Sequence, residues 1–243
     1  GVCEVNSGEK DVEQLYNNAL IACDMLGEET EGKIAYYDIE MNKQKLWERK
    51  VEDDMERALL NKEFKVYLQP KINTSQEVLA GAEALVRWIH PTEGFILPNK
   101  FIPIFEKNGF ITKLDYFVWN RVCFMLRGWL DEGEKPNPVS VNVSRVNLFN
   151  PNIVRIICDL VDSYNIPRAL LQLELTESAY ADATLAMKDK VQTLREEGFQ
   201  VLMDDFGSGY SSLNVLKDIE VDVLKIDMRF FESTDVGGRG ENI

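Results

Sequence analysis

Five apolar segments of this 243-residue chain carry a charged or amide residue where a buried strand gives way to a loop. They hold Glu83 in Ala82-Glu83-Ala84-Leu85-Val86-Arg87-Trp88, Asn142 after Val139-Ser140-Val141, and Glu174 in Leu171-Gln172-Leu173-Glu174-Leu175. The pair Asp204-Asp205 follows Val201-Leu202-Met203, and Lys225 lies between Leu224 and Ile226. Burying a lone charge among apolar strand residues is costly without a partner. A fold that brings several of them to one rim builds a polar site suited to metal ions, so the chain reads first as a metal-dependent enzyme.

The spacing of these segments points to an architecture. From Phe64 onward, strands are predicted over Phe64 to Ile72, Val78 to Trp88, Val139 to Val143, Leu170 to Leu175, Phe199 to Asp204 and Val221 to Ile226. Helices are predicted over Asn99 to Lys107, Thr112 to Asp131, Pro151 to Tyr164 and Ala183 to Glu197, with a short one after Gly209. Such alternation implies a mainly parallel sheet with right-handed crossovers. Polar residues at nearly every strand end favour an α/β, TIM-like (β/α) barrel over an open sheet with a single switch point. Six strands are fewer than the eight of a closed barrel, so the barrel is expected to be incomplete at its C-terminus. The polar, Gly-rich stretch from Glu232 to Ile243, with Gly237-Gly238-Arg239-Gly240, reads as a flexible loop.

The N-terminal region is different. Gly1 to Val5 and Lys33 to Ile39 read as strands around a helix from Asp11 to Leu26, a small α/β unit over residues 1–41. Residues 42–62 read as a linker helix, with Trp47, Val51, Met55, Ala58 and Leu59 along one side. The barrel occupies 63–243.

Composition excludes several functions. With 27 basic and 41 acidic residues the net charge is −14, which disfavours DNA, RNA and anionic lipid. No segment approaches the roughly 20 apolar residues of a spanning helix, and none reads as a leader that would mark it for export. A cytoplasmic location is expected, with any membrane anchor outside this segment. Cys3, Cys23, Cys123 and Cys158 are far apart and read as small buried hydrophobes. A single histidine, His90, excludes a His-rich zinc site and reads as a surface loop residue. Trp88, Phe101, Trp119 and Trp129 read as core.

At this point the motifs resemble a known family. Glu83-Ala84-Leu85-Val86-Arg87-Trp88 resembles the signature of the EAL domains, the cyclic di-GMP phosphodiesterases. The motifs around it agree in order: Gln69-Pro70, Pro98-Asn99-Lys100-Phe101-Ile102-Pro103, Asn142-Val143-Ser144 and Glu174-Leu175-Thr176-Glu177. Asp204-Asp205-Phe206-Gly207-Ser208-Gly209-Tyr210 and Leu224-Lys225-Ile226-Asp227 complete the set. The resemblance covers Phe64 to Ile243. Residues 1–41 more weakly resemble the end of a GGDEF domain, without its naming motif, and so imply a degenerate remnant.

The resemblance implies hydrolysis of cyclic di-GMP to the linear dinucleotide pGpG in bacterial second-messenger signalling, assisted by two divalent cations, Mg²⁺ or Mn²⁺. Glu83, Asn142, Glu174, Asp204 and Asp205 are the implied metal ligands, with Asp205 bridging both ions. Two carboxylates at about 4 Å repel by about 4 kcal/mol at an effective dielectric near 20, an independent reason to expect cations among them. Lys225 is implied to position or deprotonate the attacking water or to stabilise the phosphate. Arg87 is implied to clamp a phosphate, Gln69 to touch the nucleotide, and Glu177 to shape the Asp205–Ser212 loop. That loop and the helix after it imply a homodimer.

Each residue also has a plainer reading. Glu83 pairs with Arg87, Asn142 caps the next helix, Asp204 to Gly207 form a turn, Lys225 makes a structural ion pair, and Glu177 is an N-terminal helix acid. Against the hydrolase stand a cyclic di-GMP receptor without catalysis and a plain interaction scaffold. The family's later glutamate and glutamine are expected beyond Ile243, and weak or absent activity is expected of the segment alone.

Overall fold

In this computed structural model the described residues are 1–5, 11–26, 33–181, 185–207, 221–228 and 230, with only the backbone of 180 and 181. The predicted helix after Gly209, the Ser208–Ser212 part of the expected dimer loop and the Glu232 to Ile243 stretch lie outside them. The chain divides into two compact units, Gly1–Asn61 and Lys62–Ile243.

In the first unit, α1 (Val12–Asp24) starts at Asp11, whose carboxylate accepts the Glu13 and Gln14 backbone N–H groups. That satisfies donors with no partner inside the helix. The two expected strands reduce to one parallel bridge between Val2 and Tyr36. Ile39, expected at the end of the second strand, is the first residue of α2 (Ile39–Leu60). Asp38 accepts the Glu40 N–H there, so a cap and a helix-favouring sequence override the short alternation. Cys23 is exposed and Cys3 half-buried, unlike the buried cysteines expected.

The second unit is an α/β half-barrel of the TIM-like kind. Strands β1 (Phe64–Asn73) and β2 (Val78–His90) form an antiparallel hairpin, and β3 (Gly94–Ile96) adds to β2. Strands β4 (Val139–Asn142), β5 (Leu171–Thr176), β6 (Gln200–Phe206) and β7 (Val223–Ile226) then run parallel to β2, in the order β1-β2-β4-β5-β6-β7. Helices α3 (Ile102–Asn108), α4 (Ile111–Asp131), α5 (Arg145–Phe149), α6 (Ile153–Ser163), α7 (Glu177–Ala181) and α8 (Leu185–Glu196) alternate with them.

Period-two alternation assigns the two faces of the sheet. Val139, Val141, Leu171, Leu173, Leu175, Val201 and Met203 point one way and are buried. The register places Glu83 beside Ser140, Asn142 beside Glu174 and Thr176 beside Asp204, all on the opposite, inner face. Buried residues on helix α4 (Leu114, Val118, Val122 and Leu126) recur at helical spacing and give it an apolar core-facing side.

The hairpin carries an aromatic packing cluster. Trp88 packs at 5.1 Å on Phe64 and 5.7 Å on Phe101, and donates its indole N–H to Glu63 at 3.0 Å. His90 is not a loop residue. It ends β2, is 4% exposed, and its Nδ1 accepts the Thr92 and Glu93 backbone N–H groups at 3.2 and 3.1 Å. The β2 strand runs two residues beyond its predicted end because the short β3 pairs with that extension.

Gly81 is sterically required. It lies opposite Lys71, and a Cβ there would sit 2.7 Å from the Pro138 carbonyl oxygen. Gly81→Ala is expected to lower stability by about 1–3 kcal/mol through this backbone clash, read as a lower urea midpoint with unchanged m-value.

Candidate metal and phosphate site

Three inner-face carboxylates meet above the sheet. One oxygen each from Glu83, Glu174 and Asp204 lies within 4.8 Å of the others, the group of acids so placed among the described residues. Lys225 stands in their midst. Its Nζ donates to Glu174 Oε2 at 2.6 Å, Asp204 Oδ2 at 2.8 Å and Glu83 Oε2 at 2.9 Å. Burial alone would lower the Lys225 pKa, but hydrogen bonds to Asp204, Glu174 and Glu83 outweigh it and raise it. The side chain is therefore an ammonium.

Glu174 is the most enclosed member, with a side chain 0% exposed. Burial pushes its pKa up, yet hydrogen bonds from Lys225, Lys71 and Ser140 hold it below the usual carboxylate range. Lys71, on β1, donates to Glu174 Oε1 at 2.8 Å and to Ser140 Oγ at 2.6 Å. Neither residue stands out in the sequence. Their signal was the period-two alternation that puts Lys71 on the face of Gln69 and Ser140 on that of Asn142.

The other expected residues are placed as follows. Asn142 is exposed at the end of β4, in register with Glu174, and it does not cap the next helix: the cap of α5 is Ser144. Asp205 follows Asp204 but is outside the three-acid group. Alternation would send adjacent side chains to opposite faces. Here the register slips between Met203 and Phe206, and Asp205 is left-handed (φ 57°) with an exposed side chain. A bulge of this kind re-aims a residue at a sheet rim, and Asp tolerates that backbone region. Strand β6 continues through Phe206, so Asp204 and Asp205 are strand residues and not an ordinary turn.

Arg87 shares the inner face with Glu83, but three strand residues lie between them and place it about 13 Å along the strand. Glu83 pairs with Lys225, and Arg87, half-buried, donates to its neighbour's carbonyl on Val86 at 2.9 Å. Gln69 is exposed and lies opposite Glu83 in the hairpin register. Glu177 begins α7, is 7% exposed, and its Oε2 accepts the Gly207 backbone N–H at 2.9 Å. It thus ties the end of β6 to the helix after β5.

A second layer of contacts fixes the end of β4. Trp119 donates its indole N–H to the Asn142 carbonyl at 2.9 Å. Asp115, one turn earlier on α4, accepts from the Ser144 N–H at 2.9 Å and from Asn147 Nδ2 at 2.8 Å. Burial pushes the Asp115 carboxyl up to about 6 against the lowering effect of those bonds.

Carboxylates and an amide offer oxygen donors only, a set that suits hard divalent cations and not thiophilic metals. Such a cluster on the inner face of parallel strands defines a TIM-like domain with a cation-binding type of site. The family description "EAL domain" matches residues 52–243, and the chain belongs to that family. An uncharacterized signaling protein of Caulobacter vibrioides is 34% identical over 92% of the chain and 27% of its own length. The cyclic di-GMP phosphodiesterase NbdA of Pseudomonas aeruginosa is 32% identical over 93% of the chain and 29% of its own length. A solved structure of the MucR phosphodiesterase in complex with c-di-GMP superposes with a TM-score of 0.70 at 32% identity, covering 76% of this chain and 74% of that one. The chain spans 26–59% of the length of such curated relatives.

Two stability effects follow from the geometry. Removing the ammonium takes the cation from Glu83 and Asp204 and leaves Glu174 with Lys71 alone, so in chelating buffer Lys225→Met is expected to cost about 3 kcal/mol in urea unfolding. Asp115 holds its proton more tightly folded than unfolded. Its contribution to stability is complete below about pH 4 and lost as pH rises through about 6. The stability of the wild type relative to Asp115→Asn is therefore expected to fall by about 2 kcal/mol between pH 4 and pH 7.

Proposed function

We propose that the chain carries the cation-binding part of a phosphodiesterase that opens cyclic di-GMP to the linear dinucleotide pGpG. The observation that carries this reading is the convergence of Glu83, Glu174 and Asp204 around the Lys225 ammonium on the inner face of an EAL domain. The c-di-GMP complex of MucR and the phosphodiesterase NbdA support the choice of substrate.

In this reading Glu83, Asn142, Glu174, Asp204 and Asp205 hold two divalent cations, Mg²⁺ or Mn²⁺. Bound there, such ions supply Lewis-acid neutralisation of phosphoryl oxygens and acidification of a water. Lys225 positions or deprotonates the attacking water or stabilises charge on the phosphate. Arg87 lies farther along β2 on the Glu83 face, where a planar fork suits a phosphate. Gln69, beside Glu83, is the nucleotide contact. Glu177 keeps the backbone after Asp205 in place through Gly207. Residues 1–41 are read as the end of a GGDEF-like module, residues 42–62 as a linker helix, and the Asp205–Ser212 loop as a homodimer contact.

Purified full-length protein with Mn²⁺ is expected to convert cyclic di-GMP to pGpG on a chromatographic assay. Lys225→Ala is expected to lower kcat by about 100-fold or more, with cyclic di-GMP binding retained. Binding without turnover by the wild type makes the protein a receptor. Absence of binding overturns both readings in favour of an interaction scaffold.

A further inference from the structure

The two oxygens of Glu174 have different lysines. Oε2 faces the cluster and lies 2.6 Å from Lys225 Nζ, whereas Oε1 is taken by Lys71 Nζ at 2.8 Å. Lys71 comes from β1, separated from β5 by β2 and β4. It can reach so far because its hairpin partner is Gly81, which puts no side chain in the way. Ser140, fully buried on β4, fixes the far end by accepting from Lys71 at 2.6 Å while its own hydroxyl lies 3.3 Å from the Ala82 carbonyl. Asp204 repeats the arrangement: Oδ1 accepts the Asp205 N–H at 2.9 Å, and Oδ2 turns to Lys225 at 2.8 Å. Each of these carboxylates turns one oxygen to Lys225 at the centre and has the other held by a donor outside it.

We infer that Lys71 is a positioning residue that keeps Glu174 a one-oxygen ligand and so sets which divalent cation the site prefers. This inference rests on the metal-site reading given above. Ca²⁺ takes six to eight oxygens and readily accepts both oxygens of one carboxylate, whereas Mg²⁺ demands a compact octahedron. For Glu174 to chelate, Oε1 must leave a charge-assisted hydrogen bond in a buried place, where such bonds are strong. Lys71 therefore biases the site toward small octahedral cations and away from Ca²⁺. Removing it frees the chelating mode.

The test is calorimetric titration of Mg²⁺ and of Ca²⁺ into full-length protein without nucleotide. Loss of a positive charge strengthens both cations alike, so the ratio of the two affinities reads the positioning. Lys71→Met is expected to shift that ratio toward Ca²⁺ by about tenfold, the scale of contacts that orient metal ligands. Lys71→Arg, which still donates to Oε1, is expected to restore the wild-type ratio to within about threefold. Should Lys71→Met fail to fold, Ser140→Ala, which releases the far anchor, is expected to move the ratio the same way by about threefold. A folded Lys71→Met or Ser140→Ala protein with the wild-type ratio overturns the role of Lys71 and leaves the metal site standing. Absence of cation binding in the wild type overturns the metal-site reading itself.

Discussion

A carboxylate enclosed by protein and gripped by two ammonium groups is the constraint around which this half-barrel is arranged. Glu174 sits on a central strand with no exposed side-chain surface, where a lone negative charge is costly. Lys71 and Lys225 remove that cost, and they come from the two strands at opposite ends of the β1-to-β7 order. Their ion pairs close across the concave face what the backbone hydrogen bonds join strand by strand. Three acids against two lysines leave the cluster with one net negative charge. The charge balance is thus both a structural tie and a standing attraction for cations.

Around that centre, neighbouring elements hold the strand ends still. Trp119 and Asp115 on α4 grip the backbone leaving β4, and Glu177 on α7 grips the backbone leaving β6. Each uses a buried polar group to satisfy a main-chain group that the ladder no longer serves. Rigid exits from the strands are what a site built at a barrel rim needs, because a ligand misplaced by an ångström loses much of its effect.

The sequence displayed the inner face well, since apolar and polar residues alternate without interruption along Leu171 to Thr176. Glu83, Glu174, Asp204 and Lys225 were legible because charges are rare inside buried strands. Lys71 was not: Pro70 and the exposed Gln69 make β1 look like an edge strand whose charges face water. Its partner lies 103 residues away, a distance no local pattern spans. Asp205 was identified, but its left-handed backbone was hidden, because a bulge depends on the strand alongside. His90 was misplaced for a related reason, as its burial comes from β3 and the aromatic cluster around Trp88. The expected N-terminal strands failed where a helix cap at Asp38 competed with alternation.

The β1–β2 connection has a consequence for the whole site. The strands are joined by a tight turn at residues 74–77, and the pairing skips Ala80, so that Lys71 meets Gly81 while Ile72 meets Leu79. Side chains in a strand swap faces with every residue of slippage. A one-residue slip of β1 against β2 would turn the lysine outward and an isoleucine toward the carboxylates. The pairing of a buried charge on a central strand is thereby entrusted to the register of an outer hairpin.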